Sequence, residues 1–240
     1  MDTLFLTPSA YQRLLEGAVV TLQVLAGAVT LGTVLSFVFG IARLSTRRWA
    51  RVGALVYIEF ARGVSAIILL FWMFFAFPIL FDVDGWSAMT SGILALGINM
   101  GAYGAEIVRG AVQAVPRGQS EATIALNLTP TQRLRHVIIP QAIPIILPPF
   151  GNLVIEILKG TALVSLITLS DLAFEAQKLR VSAIGEGTPV LYLNVLIMYF
   201  VLAQLLILAF RWAERRSAAS FGEGKAPKGS DMAKATAVPR

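Results

Sequence analysis

Apolar residues in this chain do not alternate with polar ones; they run. Five stretches, near residues 17–42, 55–80, 88–109, 137–158 and 189–212, are apolar almost throughout, and the charged residues gather between them. A helix rising about 1.5 Å per residue needs roughly 20 apolar residues to cross a ~30 Å hydrocarbon layer. Each stretch is therefore read as a transmembrane helix, giving an all-α integral membrane protein of five spans. Thr161 to Leu169 is apolar but too short to span, and reads as a re-entrant or interfacial half-helix running into Asp171 and Glu175. Residues 1–216 form the membrane domain. Residues 217–240, rich in Ala, Ser, Gly, Lys and Pro, read as a disordered tail.

Composition supports the pattern. Only 14% of residues are charged and 56% are hydrophobic, whereas a soluble domain carries about 25% charged residues. The charges also orient the chain. Fifteen of the 20 Lys and Arg fall at the ends of spans three and five or in the segments after spans one, three and five, among them Arg43, Arg47, Arg48, Arg51, Arg117, Arg133 and Arg135. Basic residues collect on the cytoplasmic side, so the N-terminus is expected outside and the tail in the cytoplasm. The net charge of +6 then needs no nucleic acid to explain it. The first residues lack a basic region and a small-residue cleavage site, and read as a retained start rather than a signal peptide. The absence of cysteine excludes disulfides and thiol chemistry, and the single histidine, His136, excludes a histidine-rich metal centre. No nucleophile, base and orienting group assemble, so no catalytic residue and no metal site is expected.

The segment 116–140 between spans three and four carries the most local information. Gly118 to Leu126 predicts a short helix ended by Asn127, which tolerates the left-handed conformation found past helix ends. Thr129-Pro130-Thr131-Gln132 has the form of a capping box with proline at the first helical position. A helix, a turn and a capped helix make a stiff knob.

This segment resembles the EAA loop of ABC importer permeases: Glu-Ala-Ala, three residues, Gly, nine residues, then Ile-x-Leu-Pro. The pattern falls on Glu121, Ala122, Thr123, Asn127, Val137, Ile139 and Pro140 with its spacing intact, and departs from the consensus residue at Thr123, Asn127, Val137 and Ile139. The resemblance extends from about Gly17 to Arg216, and is closest to the polar amino-acid uptake branch. It rests on Glu59-Phe-Ala-Arg62-Gly63, on Gly101-Ala-Tyr103-Gly-Ala-Glu106-Ile-Val-Arg109-Gly110, on Pro148-Pro149-Phe150-Gly151-Asn152 and on Lys159-Gly160-Thr161. Where that branch usually continues Arg-Gly with Thr-Pro-Leu-Leu, this chain has Val64-Ser65-Ala66-Ile67, a variant most similar to permeases of ectoine and hydroxyectoine uptake.

The resemblance implies a type I importer permease fold in a bacterial inner membrane, with a cytoplasmic coupling helix. It implies three kinds of partner: a dimer of ATP-binding subunits, a second permease, identical or homologous, and an extracytoplasmic solute-binding protein. Mg-ATP would belong to the ATPase, since no phosphate-binding Gly-x-x-x-x-Gly-Lys-Ser/Thr loop occurs in this chain. Gly118, Glu121, Ala122, Thr123, Ala125, Asn127 and Pro140 are the expected coupling residues.

Charges inside spans are costly, at ~2.5 to 3.5 kcal/mol each, and usually face a protein interior or a watery path. Arg62, Asn99, Tyr103, Glu106, Asn152, Glu156 and Lys159 are therefore the candidate path for a polar solute. Glu59 and Arg62, three apart, are placed to pair. Structural roles for Glu59, Arg62 and Lys159 stand beside this reading, and Trp72, Phe74 and Phe75 are read as packing residues. Gly27, Gly32, Gly97, Gly101 and Gly104 permit close helix approach, which favours a packed permease dimer. Pro140, Pro144, Pro148 and Pro149 are expected to bend or break span four. An ion-coupled secondary transporter or channel, using Glu106 and Glu156, is the alternative. It does not need the 116–140 loop.

Overall fold

The computed structural model describes residues 7–182 and 188–220, and every regular element among them is helical. Helix α1 spans Pro8–Ala42. It begins nine residues before the apolar run because Thr7 caps it, accepting the Ala10 N–H at 3.4 Å, and Pro8 takes the first position, where no N–H is missed. Helices α2 (Arg48–Gly63) and α3 (Ala66–Phe81) follow, then α4 (Ala88–Ala114), α5 (Arg117–Ala125) and α6 (Pro130–Arg133). After α6 a π-helical segment, Leu134–Ile138, leads directly into α7 (Ile139–Gly160). A 3-10 turn over Thr161–Ile167, α8 (Leu172–Ser182) and α9 (Thr188–Ser220) complete the described chain.

Among the described residues, four helical runs are long and apolar enough to cross a membrane: Pro8–Ala42, Ala88–Ala114, Pro130–Ile167 and Thr188–Ser217. The α2–α3 pair makes a fifth if counted as one span. Here the structure corrects the sequence reading. The apolar run 55–80 is not one helix but two, meeting at 102° across Val64 and Ser65. An apolar run marks what faces lipid or protein, and it carries no mark of a corner whose two arms are both apolar. A π-helical stretch at Trp72–Ala76 distorts α3 further, and the Trp86 indole N–H donates to the Met73 carbonyl there at 2.8 Å.

Of the bend or break expected at the prolines of span four, the break does not occur: Pro144, Pro148 and Pro149 sit inside one continuous helix, as prolines can where neighbouring helices shield the freed carbonyls. It also starts earlier than residue 137, because the capped turn at Pro130 is the same helical run.

The core is built on α1 against α4. A methyl group added at Gly32 would lie 2.8 Å from Met100, and one at Gly97 2.8 Å from Leu31. Gly27 and Gly101 face Ile93 and Leu35 just as closely. The small residues read as favouring a dimer are therefore used within the chain, to bring two of its own helices together. The Ser36 hydroxyl donates to the Gly32 carbonyl at 2.6 Å, and the Tyr57 hydroxyl donates to the Ile98 carbonyl at 2.8 Å.

Near the other end of α1, Thr21 accepts the Leu172 N–H at 3.1 Å, and Gly17 lies against the Asp171 backbone. The Thr161–Ile167 turn is thus pinned inside the protein, with Thr161, Val164, Ser165 and Ile167 buried. Helix α9 lies at the periphery, with Leu196, Phe200, Leu205 and Leu208 exposed. It runs through Ser220, so the first residues of the expected tail are helical, while 221–240 lie outside the described residues.

Candidate functional site

Two places bring the sequence-selected residues together. The first is a cleft of about 320 Å³ lined by Arg62, Tyr103, Glu106, Asn152 and Glu156, with Ile107, Pro149 and Leu153 as its apolar part. Three elements converge there. Arg62 ends α2 at the 102° corner, Tyr103 and Glu106 stand one turn apart on α4, and Asn152 and Glu156 stand one turn apart on α7.

The pairing inside the cleft differs from expectation. Arg62 does not pair with Glu59; its guanidinium lies over the Tyr103 ring, 5.3 Å from the centroid. The corner redirects Arg62 towards α4, which spacing along α2 does not reveal. Glu106 instead accepts two N–H bonds from Arg109, at 2.7 and 2.9 Å, and Arg109 also donates to Gln113 at 2.7 Å. Two charge-assisted bonds of this kind hold the carboxylate in place as well as balancing its charge. Asn152 and Glu156 are exposed into the cleft.

Two expected path residues are elsewhere. The Asn99 amide donates to the Ala61 carbonyl at 3.1 Å and so satisfies one of the orphan carbonyls at the end of α2. Lys159 is exposed in the last turn of α7 and does not line the cleft, and its expected neighbour Glu156 turns into the cleft without it. Trp72, Phe74 and Phe75 pack among aromatic neighbours: the Phe74 and Phe75 rings meet edge to face at 4.8 Å, and Trp72 meets Phe77 at 5.9 Å.

The second place is the hairpin from Pro116 to Pro140, and its local geometry follows the sequence closely. Asn127 has φ 55°. Its N–H donates to the Ile124 carbonyl at 2.9 Å and the Leu128 N–H donates to the Thr123 carbonyl at 3.0 Å, the two bonds of a Schellman ending. Both halves of the capping box form: Thr129 accepts the Gln132 N–H at 3.4 Å and the Gln132 side chain accepts the Thr129 N–H at 2.9 Å. The turn is held by its own backbone and by one local pair of side chains.

Helix α5 presents Glu121, Ala122, Ile124 and Ala125 outward, and Gly118 is also exposed. Thr123 points the other way: it is buried, and its hydroxyl donates to the Ser120 carbonyl at 2.7 Å. Two of the departures from the EAA consensus are thereby explained. Thr123 stands on the inner face, where its hydroxyl is satisfied, and Asn127 is a non-glycine residue well suited to a positive φ. Pro140 opens the first turn of α7, beside Gln141, whose side chain donates to Gln119 at 3.2 Å and ties α5 to α7.

Comparison with known proteins agrees with this geometry. Residues 18–218 match the family model described as binding-protein-dependent transport system inner membrane component. A probable amino-acid ABC transporter permease protein of Sinorhizobium fredii is 47% identical over 203 residues, covering 83% of this chain and 84% of that protein. The glutamine transport system permease protein of Escherichia coli is 34% identical, covering 80% and 90%. Among solved structures, an amino acid ABC transporter with histidines superposes with a TM-score of 0.76 at 33% identity, covering 86% of this chain and 94% of that one. The inward-facing methionine transporter MetNI, at 21% identity and a TM-score of 0.75, shares the fold. The chain belongs to the binding-protein-dependent transport system inner membrane component family: it is the permease component of an ABC importer, with ATP hydrolysis on a separate subunit.

Proposed function

We propose that the chain passes a polar amino acid, or a zwitterion of similar size, through the cleft between α2, α4 and α7. The observation that carries this is the convergence of Arg62, Glu106 and Glu156 with Tyr103 and Asn152 on one cleft. A zwitterion loses both its ammonium and its carboxylate hydration on entering, and a lining with both charge signs offsets both losses. Relatives named for glutamine and L-cystine transport support an amino-acid cargo. Ectoine and hydroxyectoine, zwitterions of the same class, are the narrower reading; the Val64-Ser65 variant at the corner supports it.

In this reading α5 docks on an ATP-binding subunit through Glu121, Ala122 and Ala125, a solute-binding protein delivers cargo from outside, and a second permease completes the path. The basic turn after α1 and the α5–α6 hairpin lie in the cytoplasm, with the N-terminus outside. The test is uptake into proteoliposomes with and without the ATP-binding subunit. ATP-dependent uptake of a polar amino acid is expected, and uptake that persists without that subunit overturns the reading in favour of an ion-coupled carrier.

A further inference from the structure

A larger cavity than the α2–α4–α7 cleft lies between the turn after α1 and the α5–α6 hairpin, with a volume of about 820 Å³. Its lining is amphiphilic. Ile41, Leu44, Val112 and Ile138 form an apolar wall, while Arg47 and Arg133 bring two guanidinium groups to it from separate elements. Ser120 and Thr131 add hydroxyls, and no aspartate or glutamate lines it among the described residues. Trp49, 73% exposed, stands at its edge, with Arg48 before it and Arg51 after it on the same helix.

We propose that this cavity binds an anionic phospholipid. Guanidinium and hydroxyl donors suit a phosphodiester, and the apolar wall suits the start of an acyl chain. A free anion would leave that wall wet. Exposed tryptophan is a residue of the membrane interface. Because Arg47 belongs to the turn after α1 and Arg133 to α6, one lipid touches the membrane domain and the hairpin together, and its presence braces the hairpin. The proposal rests on the cytoplasmic placement of that hairpin given above.

The test uses the complete transporter in nanodiscs of phosphatidylcholine with and without phosphatidylglycerol. Native mass spectrometry reads bound lipid, and solute-stimulated ATP hydrolysis reads coupling. Phosphatidylglycerol is expected to remain bound and to raise stimulated hydrolysis. R47A and R133A should each lower its occupancy about fivefold, the equivalent of ~1 kcal/mol per basic residue, while R47K and R133K retain it. Equal occupancy in the wild-type protein and both alanine variants overturns the proposal. So does full replacement of the lipid effect by soluble glycerol phosphate, which identifies a free-anion site. Loss of the ATP-binding subunit from R47A and R133A, with lipid occupancy unchanged, also overturns it and assigns the face to that subunit. Absence of ATP-driven uptake in every lipid, with phosphatidylglycerol still bound, would instead count against the proposed transport function.

Discussion

Asp171 is fully buried and caps α8, accepting N–H bonds from Phe174 at 2.9 Å and Ala173 at 3.3 Å. Burial pushes its carboxyl up to about 6; backbone N–H donors oppose the shift, and Glu175 adds to it. A carboxyl raised in the folded state holds its proton there at pH values where the unfolded chain has lost it. Its contribution to stability is therefore greatest at low pH and declines as pH rises through about 6. Asp171→Asn keeps an acceptor for the cap and removes the titration. Thermal unfolding in detergent should show the variant losing less stability than the wild-type protein between about pH 4 and pH 7, and parallel pH profiles would refute this. Residues whose role is local were legible in the sequence: Asn127, Thr129, Pro130 and Gln132 act within one turn of their own positions. Asn99 and Arg62 were not, because each takes its role from a helix distant in sequence, and the same holds for the burial of Asp171 against Gly17, though its cap on α8 is local.

Between α2 and α3 the chain turns through 102° with Val64 at φ −91° and ψ 136° and Ser65 at φ −62° and ψ 134°. Those angles suit a proline at 65 and the residue before it, and the amino-acid uptake branch usually has proline there. Ser65 precedes the first turn of α3, where a helix ladder does not need its N–H. Ser65→Pro should therefore be tolerated and raise stability by about 0.4 to 1 kcal/mol through the unfolded state, read as a higher midpoint in a thermal-shift assay. A large destabilisation would show that the corner opens. The existence of the apolar elements was legible from run length. Their joints were not: the corner at Val64, the continuity of α7 through three prolines and the π-helical stretches depend on how neighbouring helices satisfy freed carbonyls.

Across the whole molecule, the docking proposed for the outward face of α5 would make it the part that receives force. Glu121 is its one acidic residue, exposed among small neighbours. Glu121→Lys should lower ATP-driven uptake at least about tenfold, the equivalent of ~1.4 kcal/mol of docking, with membrane insertion and thermal stability unchanged. Undiminished uptake would remove Glu121 from the docking surface. What lies beyond α5 decides where such a force goes. The run Pro130–Ile167 is 38 residues long, roughly 57 Å at about 1.5 Å per residue, nearly twice the ~30 Å of a hydrocarbon layer. One end is stapled to the hairpin and the other turns in beneath α1. A tilt of about 5° around its midpoint displaces the two ends by roughly 2.5 Å in opposite directions. Tilting as one rigid part, it would act as a seesaw, so that opening on one side of the membrane and closing on the other would be a single movement.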